Sequence, residues 1–258
     1  MYPILFRIGS FPVRSYGVMI MFGILLGGLA AYYRARKRGS YAGHVLEFAP
    51  VAAIAGILGA RIWEIIFSWN NFAGSPAEMP AIWHGGLSIQ GGIAGGIIAG
   101  VWYARRNRLP LWEFADILAP GIILGQAIGR IGCFLTGDCY GIPTNSIFGV
   151  VYPPGTIAYA AHGSHAIYPT VLFEAAWDLV VFGLLFLLER WNPRSRAGTT
   201  FLAYLGLYSA GRFFVEYLRD DSLLIAGVLR TAQVASIVGV LAAILLYAYL
   251  SRRSPARG

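Results

Sequence analysis

The stretch FADILAPGIILGQAIGRIGCFL, Phe114 to Leu135, sets the class of fold. Apart from Asp116 at its start and Arg130 near its end, nearly every residue is apolar or small. A helix that crosses a bilayer takes about 20 such residues. An arginine inside such a helix costs at least ~2.5–3.5 kcal/mol on insertion scales, so Arg130 needs a partner and usually a purpose. Six more stretches have the same character: Tyr16 to Tyr33, Glu47 to Phe67, Gly85 to Ala104, Thr170 to Leu188, Thr200 to Leu218 and Thr231 to Leu250. The sequence therefore predicts an all-α polytopic membrane protein with seven transmembrane helices. The composition agrees: 57% of the 258 residues are hydrophobic and only 12% are charged, about half the charge of a soluble domain. A water-soluble globule, a disordered chain and a secreted disulfide scaffold are all excluded.

The net charge of +8 is a matter of topology rather than of nucleic acid. Arg34, Arg36, Lys37 and Arg38 follow the first span, Arg105, Arg106 and Arg108 the third, and Arg190, Arg194 and Arg196 the fifth; Arg252, Arg253 and Arg257 follow the seventh. The connections Ser68 to His84 and Thr136 to Pro169 contain no Lys or Arg. Basic residues mark the cytoplasmic side, which places the N-terminus outside and the C-terminus in the cytoplasm. The expectation is a single integral domain. It has an amphipathic outer-surface segment at residues 1–15, a long outer loop forming a small head at residues 136–169, and a cytoplasmic tail at residues 251–258. No cleavable signal peptide is expected, because the first apolar run is too long and lacks a cleavage site.

Placed by depth, the polar residues inside the spans converge. Tyr16 opens the first span, Arg61 and Glu64 lie in the outer half of the second, and Gln90 lies in the outer half of the third. Arg130 and Asp138 end the fourth, Glu174 begins the fifth, and Arg212 and Glu216 end the sixth. Local pairs can satisfy some of these groups: Arg212 with Glu216, Gln126 with Arg130, Arg61 with Glu64. Such staples do not require three cations and four acids at one depth, whereas a polar cavity for an anionic lipid headgroup does. Trp63, Trp83, Tyr140, Tyr152 and Tyr168 fit an interfacial belt, and His162 and His165 in the outer loop are expected to be solvated. Glycines 92, 96 and 100 recur at the spacing of close helix packing, although bare backbone N–H groups beside a cavity also suit a phosphate. Cys133 and Cys139 admit either a disulfide outside the cytoplasm or, more simply, two buried thiols. No spacing of His or Cys suggests a metal site.

The ordered motifs resemble those of bacterial prolipoprotein diacylglyceryl transferases. The run Gly129-Arg130-Ile131-Gly132-Cys133-Phe134 through Asp138 and Gly141 is similar to the family signature. It is accompanied in order by Gly59-Ala60-Arg61, Trp83-His84-Gly85-Gly86 through Gln90, Tyr168-Pro169 through Glu174, and Tyr208 through Arg212 to Glu216. The resemblance implies transfer of the diacylglyceryl group of phosphatidylglycerol to the lipobox cysteine of a preprolipoprotein signal peptide, with release of glycerol phosphate. It implies a bacterial plasma membrane enzyme facing the outer leaflet, acting as a monomer without cofactor or metal. Carried over by position, Tyr208, Arg212, Glu216 and Asp138 are the catalytic set, and Arg130, Arg61, Tyr16, Gln90 and Glu174 bind lipid, with Arg130 on the phosphate. The chain departs from the family pattern in Gln90, where many members have His and where Gln cannot act as a base, in Cys133 for Asn, and in Asp138 for Glu. Those departures motivate an alternative, a family-like protein that binds lipid or signal peptide without transfer. A transporter also accounts for intramembrane charge, but transporters place their sites near the midplane between internal repeats, and no repeat is visible here.

Overall fold

The computed structural model describes residues 1–9, 11–82, 85–192, 195–222, 224–225 and 229–253. Trp83, His84, Arg194 and Arg257, and the tail beyond residue 253, lie outside the described residues. The long helices are α1 (Ser15–Lys37), α2 (Ala42–Phe67), α4 (Ile89–Arg106), α5 (Leu111–Thr136), α7 (Thr170–Trp191), α8 (Thr199–Glu216) and α9 (Thr231–Arg253). Two short ones, α3 (Trp69–Phe72) and α6 (Ile157–His162), lie in the connections. Five helices, α1, α2, α5, α7 and α9, are long and apolar enough to cross a membrane. α4 ends on Arg105 and Arg106 and is rich in glycine, while α8 carries Arg212, Glu216 and two threonines. Neither reaches the apolarity of the other five, although both occupy the places of the third and sixth sequence spans. Apolar side chains face outward along these helices: Ile98 is 69% exposed and Leu245 67%, as expected where lipid is the solvent.

The first 14 residues fall in the segment expected at the outer surface. They fold as an antiparallel hairpin of β1 (Ile4–Ile8) and β2 (Phe11–Arg14), with Ile4 opposite Arg14 and Gly9 in the left-handed region. A second short pair, β3 (Leu224–Ile225) and β4 (Leu229–Arg230), precedes α9. The fold is thus helical with two small β additions.

The chain forms two compact units. Residues 32–114 make one, built on α2 against α4. Glycine permits very close contact there: a Cβ on Gly91 would lie 2.2 Å from the Gly59 carbonyl oxygen, and one on Gly95 2.2 Å from that of Ala55. Residues 1–31 and 115–258 make the other. Its core joins Ala119 and Ile123 of α5, Val181 and Leu185 of α7, and Tyr204 of α8. Within it, α1 and α5 approach through Gly27 and Gly121, where an added Cβ would lie 2.3–2.4 Å from the opposing carbonyl oxygen. The start of α8 is fixed electrostatically, since the buried Asp116 carboxylate accepts from the backbone N–H groups of Gly198 at 2.7 Å and Phe201 at 2.8 Å, where the helix dipole favours an anion.

Residues 136–169 have a small core of their own around Tyr152, Ala158 and Ile167. Tyr152 was expected in an interfacial belt but is only 1% exposed, and burial pushes its phenol up to about 12. His162, expected to be solvated, pairs through Nε2 with Asp220 Oδ2 at 2.9 Å.

Candidate active site

A buried carboxylate that collects three guanidiniums is the centre of the site. Glu174, in the second turn of α7, is 5% exposed. Its Oε2 meets Nε of Arg130, from the last turns of α5, at 2.7 Å. Its Oε1 receives Nη1 of Arg212 from α8 and, at 3.2 Å, Nη1 of Arg219 from the segment after α8. Arg212 also reaches Glu216 Oε2 at 2.8 Å, the i,i+4 pair read from the sequence, and Arg219 grips Asp221 with Nε and Nη2 at 3.0 and 2.7 Å. Arg230 closes the base of the cluster by donating to the backbone carbonyl of Glu216. Three cations thus face three anions. The charges balance, but the buried Glu174 Oε2 and Glu216 Oε2 are held by ion pairs without a well-aligned hydrogen bond, and the guanidinium donors can be redirected to a phosphate, which accepts the same fork of N–H groups as a carboxylate. Among the described residues Arg130 is bonded only through Nε, so its two Nη groups are not committed.

The segment after α8 is held against the segment after α5. Ile142 N donates to Leu218 O at 2.9 Å, and Gly141 pairs with Arg219 as an isolated bridge. A side chain at Gly141 would strike Tyr168 O and Leu218 O at 2.6–2.7 Å, which explains a glycine there. Burial works against the charge on Arg219, but the Cys139, Glu174 and Asp221 groups around it prevail and hold its guanidinium above its ordinary value.

A small pocket opens beside the cluster, lined by Glu174, Trp177, Asp178, Tyr208, Gly211 and Arg212. Tyr208 stacks near Tyr204 with ring centroids 6.1 Å apart. Tyr204 in turn donates to Gln126 Oε1 at 3.1 Å, and among the described residues no bond joins Gln126 to Arg130, its i,i+4 neighbour. Asp178, one turn beyond Glu174 on α7, is 1% exposed with Oδ2 lacking a hydrogen-bond partner.

Asp138 and Tyr16 form a second group at the end of α5. Asp138 Oδ2 accepts from the Thr136 hydroxyl at 2.7 Å and makes no ion pair among the described residues. Tyr16 packs against Gly132, where an added Cβ would meet its ring at 3.3 Å, and it lies within electrostatic range of Arg130, Cys133, Asp138 and Cys139. Both cysteines are free and partly accessible.

Arg61 and Gln90 belong to the other unit. Arg61 is 6% exposed and is engaged by backbone: Nε donates to Met79 O at 2.8 Å, Nη1 to Gly85 O at 2.7 Å and Gly86 O at 2.8 Å, and Nη2 to Glu78 O. Its guanidinium also lies 4.9 Å over the Phe72 ring. Glu64, its expected i,i+3 partner, accepts from the Ser68 hydroxyl at 3.0 Å. Gln90 sits at the exposed start of α4, where its Oε1 accepts from the Ser88 hydroxyl at 2.6 Å.

The structure therefore joins Arg130, Glu174, Tyr208, Arg212 and Glu216 in one cluster, sets Tyr16 within electrostatic range of Arg130 and Asp138, and ties Arg61 into a loop of the other unit. Sequence reading missed Arg219, Asp221 and Asp178. The dense run Arg219-Asp220-Asp221 directly after an apolar span was the available signal for the first two.

Residues 3–249 match the family model described as prolipoprotein diacylglyceryl transferase. The chain is 41% identical over 249 residues to the phosphatidylglycerol–prolipoprotein diacylglyceryl transferase of Staphylococcus carnosus, covering 96% of this chain and 90% of that protein. It is 38% identical over 242 residues to the protein of the same name from Trichormus variabilis, covering 92% and 86%. With that of Acaryochloris marina it shares 37% over 254 residues, covering 98% and 92%. A match over nearly the whole chain, coincident with a buried arginine cluster that every one of the ordered motifs of the second unit helps to build, shows that the chain belongs to the prolipoprotein diacylglyceryl transferase family.

Proposed function

We propose that this chain is a phosphatidylglycerol–prolipoprotein diacylglyceryl transferase that crosses the bacterial plasma membrane seven times. In this reading its N-terminal hairpin, its site and residues 136–169 lie on the outer side, and it acts as a monomer without cofactor. The one-sided distribution of Lys and Arg supports the orientation. The names of the relatives support the two substrates. The observation that carries the chemistry is the convergence of Arg130, Arg212 and Arg219 on Glu174, with both Nη groups of Arg130 uncommitted among the described residues.

The lipobox thiol loses its proton and, as thiolate, attacks the glycerol carbon that bears the phosphate ester of phosphatidylglycerol. A C–S bond forms, the C–O bond to phosphate breaks, and glycerol phosphate leaves with its charge. Arg130 and Arg212 bind that phosphate and stabilise the charge that grows as the bond breaks. Glu174 positions both guanidiniums, and Tyr208 lines the same pocket. Glu216 orients Arg212. Asp138 is the carboxylate best suited to accept the thiol proton, because protonating it breaks no ion pair, whereas Glu174 and Glu216 are neutralised by arginines. Tyr16 flanks Asp138 and Arg130 at the mouth. Within the unit of residues 32–114, Arg61 holds the loop carbonyls and Gln90 stands at the exposed start of α4.

Purified protein supplied with phosphatidylglycerol and a lipobox peptide will form thioether-linked diacylglyceryl peptide, detected by mass spectrometry, and Arg130→Ala will not. Absence of product above that control overturns the assignment.

A further inference from the structure

We propose that the turn at residues 146–149 is a lipid-inserting tip, through which Ile147 and Phe148 seat the head of residues 136–169 in the outer leaflet beside the start of α7. Ile147 is 93% exposed and Phe148 60%, yet the segment that carries them is well built. Its base is closed by Thr144 N donating to Ala166 O at 2.9 Å, and by Val150 and Ile167 exchanging two backbone bonds of 3.0 Å. Within the turn, Ser146 N donates to the Thr144 hydroxyl at 3.0 Å, Phe148 N to the Ser146 hydroxyl at 3.3 Å and Gly149 N to Ser146 O at 2.9 Å. Ordered backbone thus holds two adjacent apolar side chains away from the head's own core around Tyr152 and Ile167. The same bonds prepare the turn for lipid, where a backbone donor without a partner is costly, because these three N–H groups take their acceptors with them.

Composition and placement both select lipid as the occupant. Residues 139–169 contain no Asp, Glu, Lys or Arg, whereas a soluble domain of ordinary composition is about a quarter charged. Such a surface offers nothing to an acidic or a basic partner. The Phe148 ring meets the Phe173 ring edge-on, with centroids 6.3 Å apart and planes at 83°. Phe173 heads a stripe of α7 that continues through Ala176, Val180, Leu184 and Leu187, all four exposed and at the spacing of one helix face. α7 is long and apolar enough to cross a membrane, so that stripe is a lipid-facing side. Ile147 and Phe148 continue the apolar surface past the first turn of the helix. Burial of one isoleucine in lipid shifts the balance between seated and withdrawn tip by roughly 10- to 100-fold. The seating rests on the membrane-spanning, outward placement proposed above.

The test places full-length Ile147→Trp and Ser164→Trp in nanodiscs of phosphatidylcholine brominated high on its acyl chains, and in matching discs without bromine. Ser164 is exposed in the polar run that includes His162 and His165. The emission that each variant adds to that of the wild type is compared between the two discs. Bromine should remove most of the emission added at position 147 and little of that added at 164. Mixing phosphatidylglycerol into the discs should change neither, because the tip has no charge. A second pair gives an independent reading: the quenching of Phe148→Trp should be relieved when Ile147→Asp is added to it. No quenching at 147, equal quenching at 147 and 164, or quenching of Phe148→Trp that ignores Ile147→Asp would each overturn the inference. So would an emission change at 147 that appears only with a lipobox peptide or only as the protein is concentrated, which assigns the tip to peptide or to a second copy. Sidedness is read separately, by an impermeant thiol reagent applied to intact cells carrying Ser164→Cys, above the wild-type background from Cys133 and Cys139. Quenching without labelling refutes the outward placement alone, and labelling without quenching refutes this inference alone.

Discussion

Replacing Glu174 by Gln removes one charge and almost no volume, which makes it the sharpest probe of the arginine cluster. The wild-type carboxylate faces Arg130 at 2.7 Å, Arg219 at 3.2 Å and Arg212 in direct contact. At an effective dielectric of 20, a single pair at about 3 Å is worth roughly 5–6 kcal/mol before desolvation is counted. The desolvation cost has already been met in the folded state, so removing one partner leaves the others uncompensated, and the net loss is about 3–5 kcal/mol. For a chain of this size that corresponds to a fall in unfolding temperature of roughly 6–20 °C. The second half of the prediction concerns lipid. With Glu174 neutral, three guanidiniums face only Glu216 and Asp221, and an anionic headgroup can restore the balance. Phosphatidylglycerol should therefore raise the unfolding temperature of Glu174→Gln by more than it raises that of the wild type, since a ligand that binds only the folded state stabilises it more the tighter it binds, with the logarithm of its affinity. The measurement is intrinsic fluorescence of the seven tryptophans during heating, in micelles of zwitterionic lipid with and without phosphatidylglycerol. An unchanged unfolding temperature in zwitterionic micelles would refute Glu174 as the common counterion. Equal or weaker protection by phosphatidylglycerol would refute the cluster as the phosphate site.

Other perturbations have defined outcomes. Gly91→Ala places a Cβ 2.2 Å from Gly59 O and 2.3 Å from Trp63 Cβ, so α2 and α4 must separate at a cost of about 1–3 kcal/mol; Gly28→Ala, with nothing within 4 Å of its Cβ, is the control that should leave the unfolding temperature unchanged. Gln90→Ala should keep transfer within a few-fold of wild type, because the Gln90 amide oxygen is spent on Ser88 at an exposed helix start, and a dead variant would show that the third span acts directly. The Cys139 thiol is depressed from 9.0 to about 6 in the fold, so its stabilising contribution is complete above the unfolded value and fades as pH falls toward 6. The unfolding temperature of the reduced protein should accordingly rise between pH 6 and pH 9, and Cys139→Ser should flatten that rise.

What the sequence disclosed, and what it hid, follows from the range of the forces involved. The helices were legible because apolar runs of bilayer length need no tertiary information, and Arg130 and Arg212 were legible as site candidates because charge inside such a run is costly wherever the helix packs. Partners were harder to read, since sequence supplies only the neighbours three or four residues away. Arg212 does take its i,i+4 partner Glu216. Gln126 instead accepts from Tyr204 on another helix, and Arg130 crosses to Glu174, because a buried full charge gains more from a carboxylate than from an amide. Arg61 illustrates the opposite ambiguity. A guanidinium has five donors, and a loop whose carbonyls lack partners can consume them as fully as a ligand can. Only the geometry distinguishes these cases, and here Met79, Gly85, Gly86 and Glu78 supply the oxygens. Arg219 was hidden for a third reason. It stands just past the apolar run, where the same rule that locates cytoplasmic flanks and solvated ends treats charge as unremarkable. Its burial comes from the bridge to Gly141 and the turn after α5, contacts separated by most of two helices in sequence. The same turn brings Gly141 to Arg219 and sets Asp138 within electrostatic range of Tyr16, so the part of the site least visible in the sequence is the part where the chain reverses, since there backbone conformation rather than side-chain periodicity decides which groups meet.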